Sequence, residues 1–227
     1  MPQALLLDLD NTAYAYAPCH AAGLDAAQRE AATLRPGWQD AAAFAADYAT
    51  ARHTVKSRLA GQAAGHCRRL YFKAMLETAH GRSDLAATEQ LFAAYWRAYL
   101  AAMRLDPGCR ATLTALRERG VRLCWVSNFT TGQQVEKLRV LGLLEVADFL
   151  VTSEEAQADK PDARIFSLAL QRLGVPAAHA WMLGDDPLDD IAGARAAGLT
   201  TVWLRRVPGE SAADHVIDNW PELLDLL

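Results

Sequence analysis

Three apolar runs in this chain each end in side chains that could do chemistry. Ala4-Leu5-Leu6-Leu7 leads into Asp8-Leu9-Asp10-Asn11-Thr12, and Cys124-Trp125-Val126 leads into Ser127-Asn128. Met182-Leu183 leads into Gly184-Asp185-Asp186-Pro187-Leu188-Asp189-Asp190. Two carboxylates one residue apart, just past a strand, are placed to flank one reacting atom, one attacking while the other trades protons. Aspartates that converge without a cation repel one another and raise each other's pKa. A hard divalent ion resolves that conflict, and carboxylates with water and phosphate oxygens suit Mg²⁺. Lys160, ahead of Pro161, offers a fixed positive charge for an anionic transition state. The hydroxyl of Ser127 and the backbone amide of Asn128 are suited to a phosphoryl oxygen. Thr12 fits either a phosphate contact or a cap on the next turn, and Asp186 or Asp189 suits a helix cap.

Chemistry of this kind needs a frame that brings distant residues together. From residue 106 onward, helical stretches end in glycine and most lead into β-prone apolar runs. Leu113 to Arg119 stops at Gly120, Ile165 to Leu173 at Gly174, and Ile191 to Ala197 at Gly198. The runs that follow, with Phe149-Leu150-Val151-Thr152, read as strands buried on both faces, which implies a parallel sheet whose strand ends form the ligand crevice. From Tyr14 to Met103 the chain is instead Ala-rich, with apolar and aromatic residues at helical spacing. The expected architecture is α/β: a three-layer Rossmann-like core over 1–13 and 105–227, with an all-α helical bundle inserted over 14–104.

Composition narrows the functions further. The 227 residues are 52 % hydrophobic and 22 % charged, which excludes a disordered tail. A formal charge of −4 excludes a phosphate-gathering nucleic-acid binder or a membrane-surface protein. The four cysteines, Cys19, Cys67, Cys109 and Cys124, form no metal-binding or disulfide pattern. The six histidines show no ligand spacing. The amino terminus reads as neither signal peptide nor membrane span, so the expectation is a soluble cytoplasmic protein. Arg52, Lys56, Arg58, Arg68, Arg69 and Lys73 make the insert locally basic, a pattern expected of a solvated helix face, with a substrate-facing patch as the alternative.

Taken in order, these motifs resemble the haloacid dehalogenase superfamily of aspartate-nucleophile phosphohydrolases. Asp8 and Asp10 resemble its first motif, nucleophile and then general acid/base. Ser127 matches the second motif, Lys160 in DKPDARIF the third, and Asp185 in GDDPLDDIAGA the fourth, with Asp190 at a further acidic position and Asp189 beside it. The resemblance implies a phosphomonoester hydrolase working through an aspartyl-phosphate. Its Mg²⁺ would be held by Asp8, the backbone carbonyl of Asp10, and Asp185, while Ser127, Asn128, Lys160 and Thr12 bind phosphate. It also implies a helical cap in place of the insert and a small phosphorylated substrate. A nucleotide is one such substrate, because DLDNT followed by Tyr14 resembles nucleotidase-like members, although Ala13 departs from their usual leucine. Tyr14 or Tyr16 would then stack on a base, or else pack between cap and core. Two other activities share the pattern: a 2-haloacid dehalogenase and a phosphorylatable switch. Oligomeric state is not legible in the sequence.

Overall fold

The first apolar run carries no polar side chain, so it belongs where both faces are covered. In the computed structural model, which describes all 227 residues, it forms β1 (Ala4–Leu7), a fully buried strand in the middle of a six-stranded sheet. The others are β2 (Arg122–Ser127), β3 (Phe149–Thr152), β4 (Ala180–Gly184), β5 (Thr200–Leu204) and the short β6 (His215–Ile217). Their order is β3-β2-β1-β4-β5-β6, and every pairing is parallel. The chain therefore winds outward from β1 in one direction and then from β4 in the other, and the crevice between those two strands is the switch point of a doubly wound sheet. Register sets the depth of each motif. Leu7 pairs with Trp125 on one side and Leu183 on the other, and the amide of Asp8 donates to the Leu183 carbonyl at 2.9 Å.

Ten helices complete the chain. Four of them, α1 (Tyr16–Leu34), α2 (Ala41–Arg58), α3 (Arg68–His80) and α4 (Leu85–Ala102), lie between β1 and β2 and form one compact unit over Tyr16–Met103. The other unit comprises Met1–Ala15 and Arg104–Leu227. It contains α5 (Cys109–Glu118), α6 (Thr131–Val140), α7 (Ser153–Ala156), α8 (Ala163–Leu173), α9 (Gly193–Ala196) and α10 (Glu222–Asp225). On one sheet face Leu6, Val126, Val151 and Met182 pack with Ile165, Phe166, Ala169 and Leu173 of α8 and Ala194 of α9. Burying each of the leucine, isoleucine, valine, phenylalanine and methionine side chains among them contributes about 1.5–3 kcal/mol. The chain leaves and re-enters this unit at a closed neck: Tyr14 bridges Leu105 antiparallel, and the Asp106 amide donates to the Ala13 carbonyl at 3.0 Å.

Local chemistry explains the element ends. Gly120, Gly174 and Gly198, expected to stop helices, all take positive φ, a conformation that costs glycine little. The stretch expected to be a helix from Ile191 begins earlier, as a π-type turn over Pro187–Ala192 that runs on into α9. Asp186 starts it by accepting the amides of Leu188 and Asp189, both at 2.8 Å. In the helical unit, Asp40 and Asp84 cap α2 and α4. Small residues let α1 and α4 approach closely, since a Cβ on Gly23 would come within 2.7 Å of the Tyr95 ring. No helix is long and apolar enough to cross a membrane.

Candidate active site

Asp8 leaves β1 at the switch point, where almost no water reaches it. Thr12 Oγ1 donates to its Oδ2 at 2.8 Å and Lys160 Nζ to its Oδ1 at 2.6 Å. The same ammonium reaches Asp190 Oδ1 at 2.7 Å and the Val126 carbonyl at 3.0 Å, so a lysine only 4 % exposed bridges the ends of three adjacent strands. Asp190 fits there because residue 184 is glycine: a Cβ at that position would stand 2.2 Å from Asp190 Oδ2. Asp185 stands nearby, with Asn11 Nδ2 donating to its Oδ2 at 2.6 Å. Asn11 holds a left-handed φ of 65°, which asparagine tolerates better than most residues. Trp203 Nε1 fixes the Asp185 carbonyl at 2.8 Å.

The electrostatics follow from this crowding. Carboxylate oxygens of Asp8, Asp185 and Asp190 lie within 4.8 Å of one another. Burial raises all three, outweighing the pull of Lys160: Asp8 goes up to about 7, and Asp185 and Asp190 each to about 6, with neighbouring aspartates adding to the rise. Lys160 is desolvated too, yet Asp190 and Asp8 together push its pKa above the usual lysine range. Three carboxylates against one ammonium leave a surplus of negative charge in a cluster of hard oxygen donors. That donor set fits a divalent cation such as Mg²⁺.

Asp10 points elsewhere. Its carboxylate is gripped by Lys137 Nζ at 2.6 and 2.8 Å, by Gln134 Nε2 at 3.0 Å and by the Tyr14 hydroxyl. Burial alone would raise its pKa, but Lys137 and these bonds bring it down to about 2. Gln134 also donates to Ser127 Oγ, tying the end of β2 to the first motif. Asn128 joins two loops by its side chain: Oδ1 accepts the Lys160 amide at 2.6 Å, while Nδ2 reaches the Lys160 carbonyl at 3.1 Å and Asp189 at 3.2 Å.

The structure thus brings Asp8, Asp10, Thr12, Ser127, Asn128, Lys160, Asp185, Asp189 and Asp190 to one sheet edge. Asp190, expected behind the others, stands in the carboxylate cluster, whereas the Asp10 carboxylate turns out of it toward Lys137. Thr12 is fully buried with its hydroxyl on Asp8, and Tyr14, expected either to stack on a ligand or to pack, is buried and donates its hydroxyl to Asp10. Sequence reasoning missed Asn11, Gln134 and Lys137. It also missed Arg206, which holds the first-motif loop through the carbonyls of Asn11 at 2.8 Å and Thr12 at 2.6 Å. Gln134 and Lys137 stand three apart, on one face of the helix that follows Ser127-Asn128, a spacing that any surface helix also shows.

Lys137 is buried, so its removal strands a carboxylate. Lys137→Met is expected to cost about 3 kcal/mol of stability at neutral pH. Because the folded pKa of Asp10 is depressed, the wild-type advantage is full above the ordinary carboxylate pKa of 3.8 and fades as pH falls toward 2. Urea unfolding of both proteins across pH 7 to 2 measures this, and a gap that stays constant to the lowest pH would contradict it.

Comparison with known proteins agrees with this geometry. A family model described as haloacid dehalogenase-like hydrolase matches residues 2–198. The chain is 42 % identical over 239 aligned residues, covering all of both chains, to a ribulose-1,5-bisphosphate 5-phosphatase of Halopiger xanaduensis. It is 33 % identical, over 66 % of each chain, to a glyceraldehyde 3-phosphate phosphatase of Methanothermobacter thermautotrophicus. The solved structure of a HAD phosphatase from Thermococcus onnurineus superposes with a TM-score of 0.76 at 26 % identity, covering 99 % of this chain and 97 % of the other. With the carboxylate cluster at its switch point and a helical insert after its first strand, the chain belongs to the haloacid dehalogenase-like hydrolases, as a phosphatase acting on phosphoric monoesters.

Proposed function

We propose that this enzyme hydrolyses phosphate esters of small sugars, with a pentulose bisphosphate as the leading substrate, and that Asp8 is its nucleophile. The observation that carries this reading is the buried Asp8 carboxylate bonded to Lys160 within a three-aspartate cluster, with a second carboxylate, Asp10, two residues on. The full-length likeness to a ribulose-1,5-bisphosphate 5-phosphatase supports the substrate class. The nucleotide expectation finds no support in the relatives described above.

In this mechanism an Asp8 oxygen forms a bond to phosphorus as the ester P–O bond breaks, and Asp10 supplies the proton that the leaving sugar oxygen takes up. A water then attacks phosphorus, gives its proton to Asp10, and the bond between phosphorus and Asp8 breaks to release phosphate and free carboxylate. Lys137 keeps Asp10 ionised at rest, the form required in the second half, so the proton it delivers in the first half is taken up from solvent beforehand. Lys160 offsets charge on the transferring phosphoryl group, and Ser127 with the Asn128 amide orients its oxygens. Asp8, Asp185 and Asp190 are the side chains that would hold Mg²⁺. The ion supplies positive charge against the oxygens of the phosphoryl group.

The test is a panel of sugar phosphates, nucleoside monophosphates, an aryl phosphate and a 2-haloacid, with Mg²⁺ or excess chelator, scored for released phosphate and halide. Phosphate release from sugar phosphates that stops in chelator is expected. Halide release that persists in chelator, without phosphate release, would overturn the reading in favour of a dehalogenase. A lasting acyl phosphate without multiple turnover would overturn it in favour of a switch.

A further inference from the structure

Asp8 and Asp10 follow the same strand two residues apart, close enough for their charges to repel. Asp8 nevertheless belongs to the carboxylate cluster with Asp185 and Asp190, and Asp10 does not. A divalent cation held by that cluster attracts any further carboxylate so near. A carboxylate that gives its lone pairs to a cation cannot also carry a proton to a leaving oxygen. The fold therefore has to hold Asp10 away.

The hold comes from one face of α6 and from the loop of Asp10 itself, all within the sheet-bearing unit. Lys137 Nζ reaches both carboxylate oxygens, at 2.6 and 2.8 Å. The Tyr14 hydroxyl donates to Oδ1, and Gln134 Nε2 donates to Oδ2 at 3.0 Å. Each oxygen thus receives two donors, which fills the roughly four lone-pair sites of a carboxylate. The donors are themselves fixed. Gln134 and Lys137 are almost wholly buried, the Lys137 ammonium lies 4.6 Å from the centre of the Phe129 ring, and Gln134 also donates to Ser127 Oγ. The Asp10 side chain is 24 % exposed, so protons from solvent still reach it. Stability alone gives little reason to bury this lysine, because desolvation offsets most of what a buried ion pair gains and an apolar pair of similar volume stabilises as well.

We propose that Gln134 and Lys137 are positioning residues that keep the Asp10 carboxylate off the divalent cation, so that it stays a proton carrier. The proposal rests on the reading of Asp8 as nucleophile and Asp10 as acid and base, and adds the residues that keep those two roles apart.

Two esters distinguish positioning from general damage. Expelling the alkoxide of a sugar phosphate needs a proton, whereas expelling 4-nitrophenolate does not. With 4-nitrophenyl phosphate, Lys137→Met is expected to release one equivalent of 4-nitrophenolate in a fast burst and then to turn over about 100-fold more slowly than wild type. With ribulose 1,5-bisphosphate it is expected to show no burst and a kcat about 100-fold lower, with KM little changed. Lys137→Arg should recover part of both. Independently of turnover, Mn²⁺ bound to Lys137→Met without substrate should hold one water fewer than in wild type, read by water-proton relaxation. The double variant Asp10→Asn, Lys137→Met should regain that water. Equal losses in burst and turnover, or an unchanged water count, would overturn the proposal. If Lys137→Met does not fold, as thermal unfolding would reveal, Gln134→Met decides: a kept burst with turnover about tenfold slower supports the role, and wild-type turnover overturns it. An Asp10→Asn variant that turns over both esters like wild type ends the acid and base reading itself. That result is distinct from a Lys137→Met variant that keeps full turnover while Asp10→Asn is inert.

Discussion

Asp8→Asn is expected to lower kcat for an aryl phosphate by at least about 10⁴-fold, because the bond to phosphorus is formed by the carboxylate itself. The substitution is nearly isosteric. With its amide oxygen toward Lys160 it presents NH2 to the Thr12 hydroxyl, which can turn to accept, and it removes one charge from a cluster that already carries too many. Burial holds the Asp8 pKa up at about 7, so in wild type without metal its ionised form weakens the fold above the ordinary carboxylate range. The metal-free variant should therefore melt at or above the wild-type temperature at pH 7. That separates loss of chemistry from loss of structure. Single-turnover phosphate release and thermal unfolding on the same preparation check both, and activity near the wild-type level would remove Asp8 from the nucleophile role.

Lys160→Met should damage stability and catalysis together. The ammonium is the cation that joins Asp8 and Asp190, and no water takes its place when both are buried. Losing one partner of a buried pair costs about 3–5 kcal/mol. Removing a donor aimed at transition-state charge costs about 10²–10³-fold in kcat. The sign with pH is the same as for the Lys137 variant, but the window lies higher. The Asp8 and Asp190 carboxyls are already raised, and without Lys160 they rise further, so the penalty grows as pH climbs through about 6 and 7 and shrinks as they take up protons on acidification. Added Mg²⁺ should recover part of the stability, measured as a melting-temperature increase larger than in wild type. A variant that melts and turns over like wild type would refute the bridging role.

Much of this site was legible because parallel strands announce their ends. An apolar run that stops at an acid or a hydroxyl marks a strand end in the crevice, which is why Asp8, Ser127 and Asp185 could be read together. Lys137 could not be, since its carboxylate lies 127 positions away and nothing local marks Gln133-Gln134-Val135-Glu136-Lys137 as other than a surface helix. Tyr14 was recognised as either stacking or packing, and its hydroxyl's partner, Asp10, is a matter of three-dimensional placement. Asp190, expected at a further acidic position, stands in the carboxylate cluster for the same reason: spacing brings an acid to an edge, but its neighbours decide where its carboxylate turns.

The neck at Tyr14 and Leu105 has an implication for how such enzymes diversify. Since the core itself stitches entry and exit together, whatever is looped out between them starts and ends at neighbouring points of the core. Closing a longer or shorter excursion changes the entropy cost only slowly with length. Selection is therefore free to swap, lengthen or rebuild the excursion while the sheet and its reactive edge stay in register, which makes this junction the natural splice point for grafting one member's selectivity onto another's chemistry.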